Sequence, residues 1–162
     1  MIKYIPYLLY FWLIAMHQVF MKDITSIFGA QINLAVLVVL LVSMYKSEST
    51  SLWFGLCVGI IGFGGIAEIS AWQALIMALI GLISFHIKEK MNLDSLFARV
   101  SLIFGGVLVH NIILVLIELN DAILLSILQY ALTGAVYTTI VGTIFFLIKD
   151  GIFTFEKTKS IF

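Results

Sequence analysis

Residues 34–42 of the sequence, LAVLVVLLV, contain no polar side chain, and this run decides the class of fold. A strand of a transmembrane β-barrel alternates apolar and polar residues, which this run does not. Helices are the other structure that satisfies every backbone group within lipid. A spanning helix needs about 20 mostly apolar residues. Six segments have this character or nearly so, at residues 4–20, 30–45, 52–68, 71–87, 97–117 and 122–148. We therefore predict an all-α integral membrane protein, a compact bundle of about six transmembrane helices.

The composition agrees with this class of fold. Hydrophobic residues make up 62% of the chain and charged residues 11%, against about 45–50% and about 25% in soluble domains. The single cysteine, Cys57, lies within an apolar segment and cannot form an intrachain disulfide. No proline-rich, glycine-rich or charged linker divides the chain, so we expect residues 1–162 to form one polytopic transmembrane domain. Nothing in the charge pattern indicates a nucleic-acid partner.

The basic residues predict the orientation of the bundle. Eight of the nine fall before the first predicted helix or after the even-numbered ones, and only Lys22 falls on the other side. Cytoplasmic segments carry an excess of Lys and Arg. Both termini are therefore predicted to be cytoplasmic, in a multi-pass protein of the plasma membrane. The eight residues are Lys3, Lys46, Lys88, Lys90, Arg99, Lys149, Lys157 and Lys159.

Polar side chains within the fifth and sixth segments are the candidates for a functional site. His110 and Asn111 lie well inside the fifth, and Gln129, Thr133 and Tyr137 recur every four residues in the sixth. An unsatisfied polar group in lipid costs several kcal/mol. We therefore expect these five residues to form a buried cluster that supports helix packing or partner binding. A neighbouring row in the sixth segment has the same spacing: Ser126, Tyr130, Gly134, Thr138 and Gly142.

A chemical role for the histidines is the sharper alternative. His17 and His110 could ligate a metal or belong to a proton path, because imidazole both ligates and titrates. Neither has an HxxxH or HxxE partner. The sequence also has no GxSxG, HExxH or P-loop motif, and no Asp, Glu, Lys or Arg near the middle of a segment. We therefore predict no enzymatic activity, no catalytic residue, no cofactor and no metal site.

Three glycines of the third segment, Gly55, Gly59 and Gly62, follow four-then-three spacing and share one face of a helix. Small residues at this spacing let two helix backbones approach closely in a membrane. The sequence therefore predicts a packing or partner-binding face here. With Gly64 and Gly65 following, the helix could also be broken or re-entrant.

A longer stretch around these glycines resembles a known family. Residues 53–85, WFGLCVGIIGFGGIAEISAWQALIMALIGLISF, resemble the rod shape-determining protein MreD family. Its members have a glycine-rich third segment, a short turn, and a helix with an Ala-Leu pair and a further glycine. Many members carry an aspartate after the glycines, where this chain has Gly62 and Phe63. Within the stretch, Ala74, Leu75 and Gly81 occupy the places of that Ala-Leu pair and glycine. The residues that match the family elsewhere are Gln18, Asn33, Leu34, Tyr137, Thr138 and Thr139.

This resemblance implies a non-enzymatic scaffold of the bacterial elongation complex, or elongasome, in the inner membrane. Such adaptors associate with an MreC-type partner, and through it with peptidoglycan synthases, to control cell shape. The alternative is a substrate-binding S component of an energy-coupling-factor vitamin importer. That protein would hold a small-molecule ligand near its outer face, where Trp72 and Gln73 fall in this chain.

Overall fold

The structure is a computed structural model and describes residues 5–21, 31–62, 67–91, 93, 95–117 and 127–151. All regular elements in these ranges are helical, which confirms the predicted class of secondary structure. A π-helical turn, His17–Met21, follows the first α-helix, and a second, Ile127–Leu132, precedes the last. The α-helices are α1 (Ile5–Met16), α2 (Leu34–Tyr45), α3 (Glu48–Gly62), α4 (Ala67–Lys90), α5 (Leu96–Ile117) and α6 (Thr133–Lys149).

Helix α2 is the centre of the bundle. It contains the apolar run quoted above, and nine of its 12 residues are buried. All five other helices pack against it. A helix that is apolar all round must be surrounded by other apolar surface. The unbroken run of residues 34–42 therefore corresponds to the core position.

Helices α3 and α4 form a tightly packed hairpin whose contact depends on glycine. A Cβ on Gly55 would overlap the backbone carbonyl of Met77, and one on Gly59 would overlap the backbone of Ala74. From the other side, a Cβ on Gly81 would lie 2.6 Å from the carbonyl oxygen of Ser51. The two backbones therefore touch at three places where any side chain would separate them.

Helices α5 and α6 form a second pair. Near the middle of the contact, a Cβ on Gly142 would lie 2.8 Å from Cδ1 of Ile103. At one end, Arg99 near the start of α5 forms an ion pair with Asp150 just after α6, with Nη1 to Oδ2 at 3.0 Å. The guanidinium also lies 5.1 Å from the ring centre of Phe146, which is fully buried.

Helix α1 lies at the periphery. It packs through aromatic rings, with Tyr7 and Phe11 lying 5.9 Å and 5.0 Å from the ring centre of Phe54 on α3. Ile14 is fully buried one turn further on. The opposite face of α1 is exposed and apolar.

Within the described ranges, three helices are long and apolar enough to cross a membrane: Ala71–Lys90, Leu96–Ile117 and Gln129–Lys149. They match the predicted spans 71–87, 97–117 and 122–148, although residues 118–126 lie outside the described part of the chain. The protein therefore has the elements of a membrane protein. Ile5–Phe20, α2 and α3 are apolar but shorter.

Two predicted boundaries are corrected. The predicted span 30–45 begins as a helix only at Leu34, since residues 31–33 are not helical and the Asn33 side chain caps the helix by accepting from Val36 N–H. Its 12 residues rise about 18 Å, less than the about 30 Å of lipid hydrocarbon. The predicted span 52–68 is instead α3, and Ala67 and Glu68 already belong to α4. Residues 63–66, where a break was considered, lie outside the described ranges.

All Lys and Arg side chains in the described residues gather at one end of the bundle. Lys88 Nζ donates to the carbonyl oxygen of Lys46 at 3.2 Å, and Lys149 Nζ lies 3.3 Å from the ring centre of Tyr45. Arg99 reaches Asp150 at the same end. We call this the basic end; it comprises Lys46, Lys88, Lys90, Arg99 and Lys149.

Candidate functional site

The interior of the bundle contains one connected group of polar side chains, which we call the core polar cluster. It consists of Asn33, Gln73, His110, Asn111 and Thr138, and so joins α2, α4, α5 and α6. His110 and Thr138 are fully buried and Gln73 is 3% exposed. Apart from the adjacent pair His110 and Asn111, these residues lie far apart in sequence, so the packing of four helices brings them together.

Asn33 occupies the centre of this cluster. Its side-chain oxygen accepts from the N–H of Val36 at 3.2 Å, and its own backbone N–H donates to Thr138 Oγ1 at 2.9 Å. Its Nδ2 lies 3.1 Å from His110 Nδ1 and donates to Asn111 Oδ1 at 3.2 Å. Asn33 thus caps α2 and connects it to α5 through its side chain and to α6 through its backbone N–H. Asparagine suits this role because it offers both an acceptor and two donors.

Both ring nitrogens of His110 have hydrogen-bond partners. Because Asn33 Oδ1 accepts from Val36, the amide nitrogen of Asn33 faces His110 Nδ1 as a donor, at 3.1 Å. Asn111 Oδ1, an acceptor, lies 3.2 Å from the same ring nitrogen. Nδ1 can therefore accept from Asn33 or donate to Asn111, depending on the tautomer. On the other side of the ring, Nε2 lies 3.3 Å from Gln73 Oε1. The imidazole thus has partners on both sides, which a carboxamide side chain can also use.

Asn111 connects the cluster to the π-helical turn before α6. Its Nδ2 donates to the carbonyl oxygen of Ala131 at 3.3 Å. A π turn interrupts the regular α-helical hydrogen-bond ladder, and such turns are frequent at functional sites. Close approach here requires a small residue on α6, because a Cβ on Gly134 would lie 3.2 Å from Asn111 Nδ2.

The structure places His110 and Asn111 in the core polar cluster, whereas the predicted residues of the sixth segment lie outside it. Gln129 and Thr133 are exposed and Tyr137 is half-buried. Thr133 Oγ1 donates to the backbone carbonyl of Gln129, so this pair is joined along its own helix. The neighbouring row, Gly134, Thr138 and Gly142, is the buried one. The physical reason is close packing: the small residues of α6 face α5 and α2, which turns the larger polar row outward.

The three glycines of α3 are divided between two surroundings. Gly55 and Gly59 meet the backbone of α4, as described above. A Cβ on Gly62 would make only ordinary contacts, 3.8 Å from Ala35 Cβ and 3.9 Å from Ile14 Cγ2. The face predicted for packing or partner binding is therefore covered within the chain at Gly55 and Gly59.

Three members of the cluster were not predicted as site residues: Asn33, Gln73 and Thr138. Asn33 directly precedes the apolar run, which is the pattern of a helix N-cap, and this signal was available. Thr138 lies between two glycines four residues away on either side, which marks a tightly packed face. Gln73 gave no comparable signal, because its position opposite His110 depends on the crossing of α4 and α5.

The other histidines lie apart from these contacts. His17 is buried in the π turn after α1. His86 is exposed at the end of α4, where Nε2 lies 3.5 Å from Glu48 Oε1 and Nδ1 3.7 Å from Glu89 Oε2. Within the ranges that the structure describes, no three His, Cys, Asp or Glu side chains converge as a metal site would require.

Comparison with protein-family models, curated proteins and solved structures finds no match for this chain. The class of protein therefore rests on the helices and the site: a helical membrane protein with a buried, hydrogen-bonded polar cluster.

Proposed function

We propose that the chain is a six-span integral membrane protein, with both termini in the cytoplasm, that acts as a non-enzymatic adaptor. In line with the MreD-like stretch of residues 53–85, it would belong to the bacterial elongation complex in the inner membrane. There it would bind an MreC-type partner and, through it, act on peptidoglycan synthesis and cell shape.

The observation that supports this role is how the core polar cluster is satisfied. The imidazole of His110 and the amides of Asn33, Gln73 and Asn111 are hydrogen-bonded to one another or to backbone. Their arrangement joins four helices, which is what a scaffold needs. In the described part of the chain, the surface available for recognition consists largely of exposed apolar helix faces.

The same contacts favour the adaptor over the importer. A substrate-binding subunit would use amide and aromatic side chains near the outer face to line a ligand cavity. Gln73 is instead buried against His110, and Trp72 is 60% exposed on the outside of α4. These two residues, which motivated the importer hypothesis, therefore do not line a common cavity.

The exposed face of α1 is the surface we assign to the partner. Leu8, Leu9 and Trp12 are 73%, 56% and 61% exposed on this face. Tryptophans that face lipid concentrate at the membrane–water interfaces, and Trp53 and Trp72 lie towards helix ends. Trp12 lies near the middle of the helical stretch Ile5–Phe20. A protein contact explains its position better than lipid does, since Trp is enriched among the anchors of interfaces.

Photo-crosslinking tests this assignment. The full chain is co-expressed with an MreC-type protein that has one transmembrane helix, and a photoreactive amino acid replaces Trp12. We expect a crosslink to that helix. The matched control is the same substitution at Ile140, which is 52% exposed on α6 and should give none. Efficient membrane insertion with no crosslink from Trp12 and no co-purification of the partner would contradict the adaptor role.

A further inference from the structure

An apolar groove lies between α4 and α5. These helices are consecutive in sequence but touch only sparsely, and the space between them has a volume of about 330 Å³. Its walls run from Ile80 on α4 to Met91 just after it, and from Ser101 to Val109 on α5. Ile83 and Val109 are 54% and 51% exposed, so the groove opens to the outside of the bundle.

The length of the groove indicates what it can hold. Ile80 and Met91 are separated by 11 residues, which corresponds to about 16 Å along a helix axis. The hydrocarbon core of a bilayer is about 30 Å thick, so the groove covers one leaflet. A transmembrane helix of a partner would need a groove of twice this length, whereas a lipid acyl chain occupies a single leaflet.

The floor of the groove is formed by two adjacent glycines. A Cβ on Gly106 would lie 2.7 Å from Leu40 Cδ2, so α2 closes the groove from behind at that point. A Cβ on Gly105 would have nothing within 4 Å. The space beside Gly105 is therefore not filled by any described atom of this chain.

Among the described residues, lysines stand at the mouth of the groove. Ile87 and Met91 line it where α4 reaches the basic end, and the exposed Lys90 lies on the same turn. Lys88 is close by, with Nζ held by the carbonyl oxygen of Lys46. The carboxylates of Glu48 and Glu89 each lie within 4 Å of the imidazole of His86. An anionic headgroup at Lys90 would be attracted.

We propose that the groove between α4 and α5 binds one acyl chain of an anionic phospholipid from the leaflet at the basic end, with the lipid phosphate beside Lys90. This site requires membrane insertion but not the adaptor role. Its test does not involve the partner, so the two proposals can fail separately.

Lipid titration of the purified full chain tests the site. Dioleoyl phosphatidylglycerol or dioleoyl phosphatidylcholine is added to delipidated protein in mild detergent, and bound lipids are counted by native mass spectrometry. We expect the first phosphatidylglycerol to bind about fivefold more tightly, the effect of one lysine near a lipid phosphate. Lys90→Gln should abolish this preference and leave phosphatidylcholine binding unchanged. Lys149→Gln, at a lysine of the basic end that lies over the ring of Tyr45 and does not line the groove, is the matched control and should keep the preference.

Gly105→Leu tests the apolar part of the groove. Because a Cβ at this position meets no other atom, the variant should fold, and an unchanged thermal unfolding midpoint checks this. It should lose the first-bound lipid of either kind, whereas Leu79→Phe, exposed on α4 outside the groove, should not. Equal binding of the two lipids by the unmodified chain, or unchanged binding by Gly105→Leu, would overturn the proposal. So would a dimer that Gly105→Leu dissociates, because the occupant would then be a helix from a second copy.

Discussion

At the scale of single residues, Asn33 has the largest number of roles. Its half-buried amide caps α2 by accepting from the N–H of Val36, one of the first N–H groups that a helix leaves without an internal partner. The same amide contacts His110 and Asn111. The cap of α2 is therefore also the centre of the core polar cluster.

The hydrogen-bond partners on both sides of the imidazole predict how His110 can be replaced. His110→Gln should be tolerated, because an amide oxygen can accept from Asn33 and an amide N–H can donate to Gln73. His110→Leu removes both interactions and should lower the free energy of unfolding by about 1–2 kcal/mol. Thermal unfolding of the purified variants in detergent measures the difference.

The control for this prediction is Gln129→Leu, which makes a comparable change at an exposed position of the sixth segment and should leave the unfolding midpoint nearly unchanged. A His110→Gln variant that folds and binds its partner normally, yet loses function, would favour titration or metal ligation by His110 instead.

At the scale of helices, two glycines of α3 differ in whether the neighbouring helix leaves room for a side chain. Gly59→Ala places a methyl group against the backbone of α4, which cannot move away as a side chain can. We expect a loss of about 1–3 kcal/mol in the free energy of unfolding and lower membrane yield. Gly62→Ala should be nearly neutral, because its Cβ meets neighbours at ordinary distances.

Measuring the two alanine variants side by side in the same detergent isolates the steric effect, because the residue types before and after the change are identical. Equal stability of the two variants would show that α3 and α4 do not approach as closely as described. The bulkier Gly59→Leu should prevent folding or assembly altogether.

The orientation of α6 is a second feature at this scale. Two rows of residues with four-residue spacing run side by side along it, and either could face the bundle by periodicity alone. Packing selects the row with the smaller side chains, because Gly134 and Gly142 allow Asn111 and Ile103 to approach. The rotation of α6 about its own axis is therefore decided by side-chain volume, because both rows are polar and polarity does not distinguish them.

At the scale of the whole molecule, the charge distribution predicts the topology. The basic end gathers all Lys and Arg of the described residues, and the positive-inside rule places that end in the cytoplasm. In a Cys57→Ser background, cysteines at Ser47, Ser95 and Lys159 should react with a membrane-impermeant maleimide only after permeabilisation. A cysteine at Asn120, between α5 and α6, should react in intact cells. Labelling at Lys159 in intact cells would reverse the orientation.

The sequence by itself determined the helical class, the three long spans and the gathering of basic residues. These follow from the hydropathy and charge of contiguous segments, which no tertiary contact alters. It also placed His110 and Asn111 inside the bundle, because both are flanked by long apolar runs and a polar side chain there needs hydrogen-bond partners from neighbouring helices.

Only the tertiary structure decided which polar residues meet. Gln73 and His110 are 37 positions apart and Asn33 and Thr138 are 105 apart, and their pairing depends on how four helices cross. It also decided where α2 begins, because the Asn33 side chain caps the helix and residues 31–33 lie outside it. Likewise, the approach of a neighbouring helix decides whether Gly59 or Gly62 meets a backbone. Periodicity predicts which residues share a helix face, but only the packing of the helices determines what that face contacts.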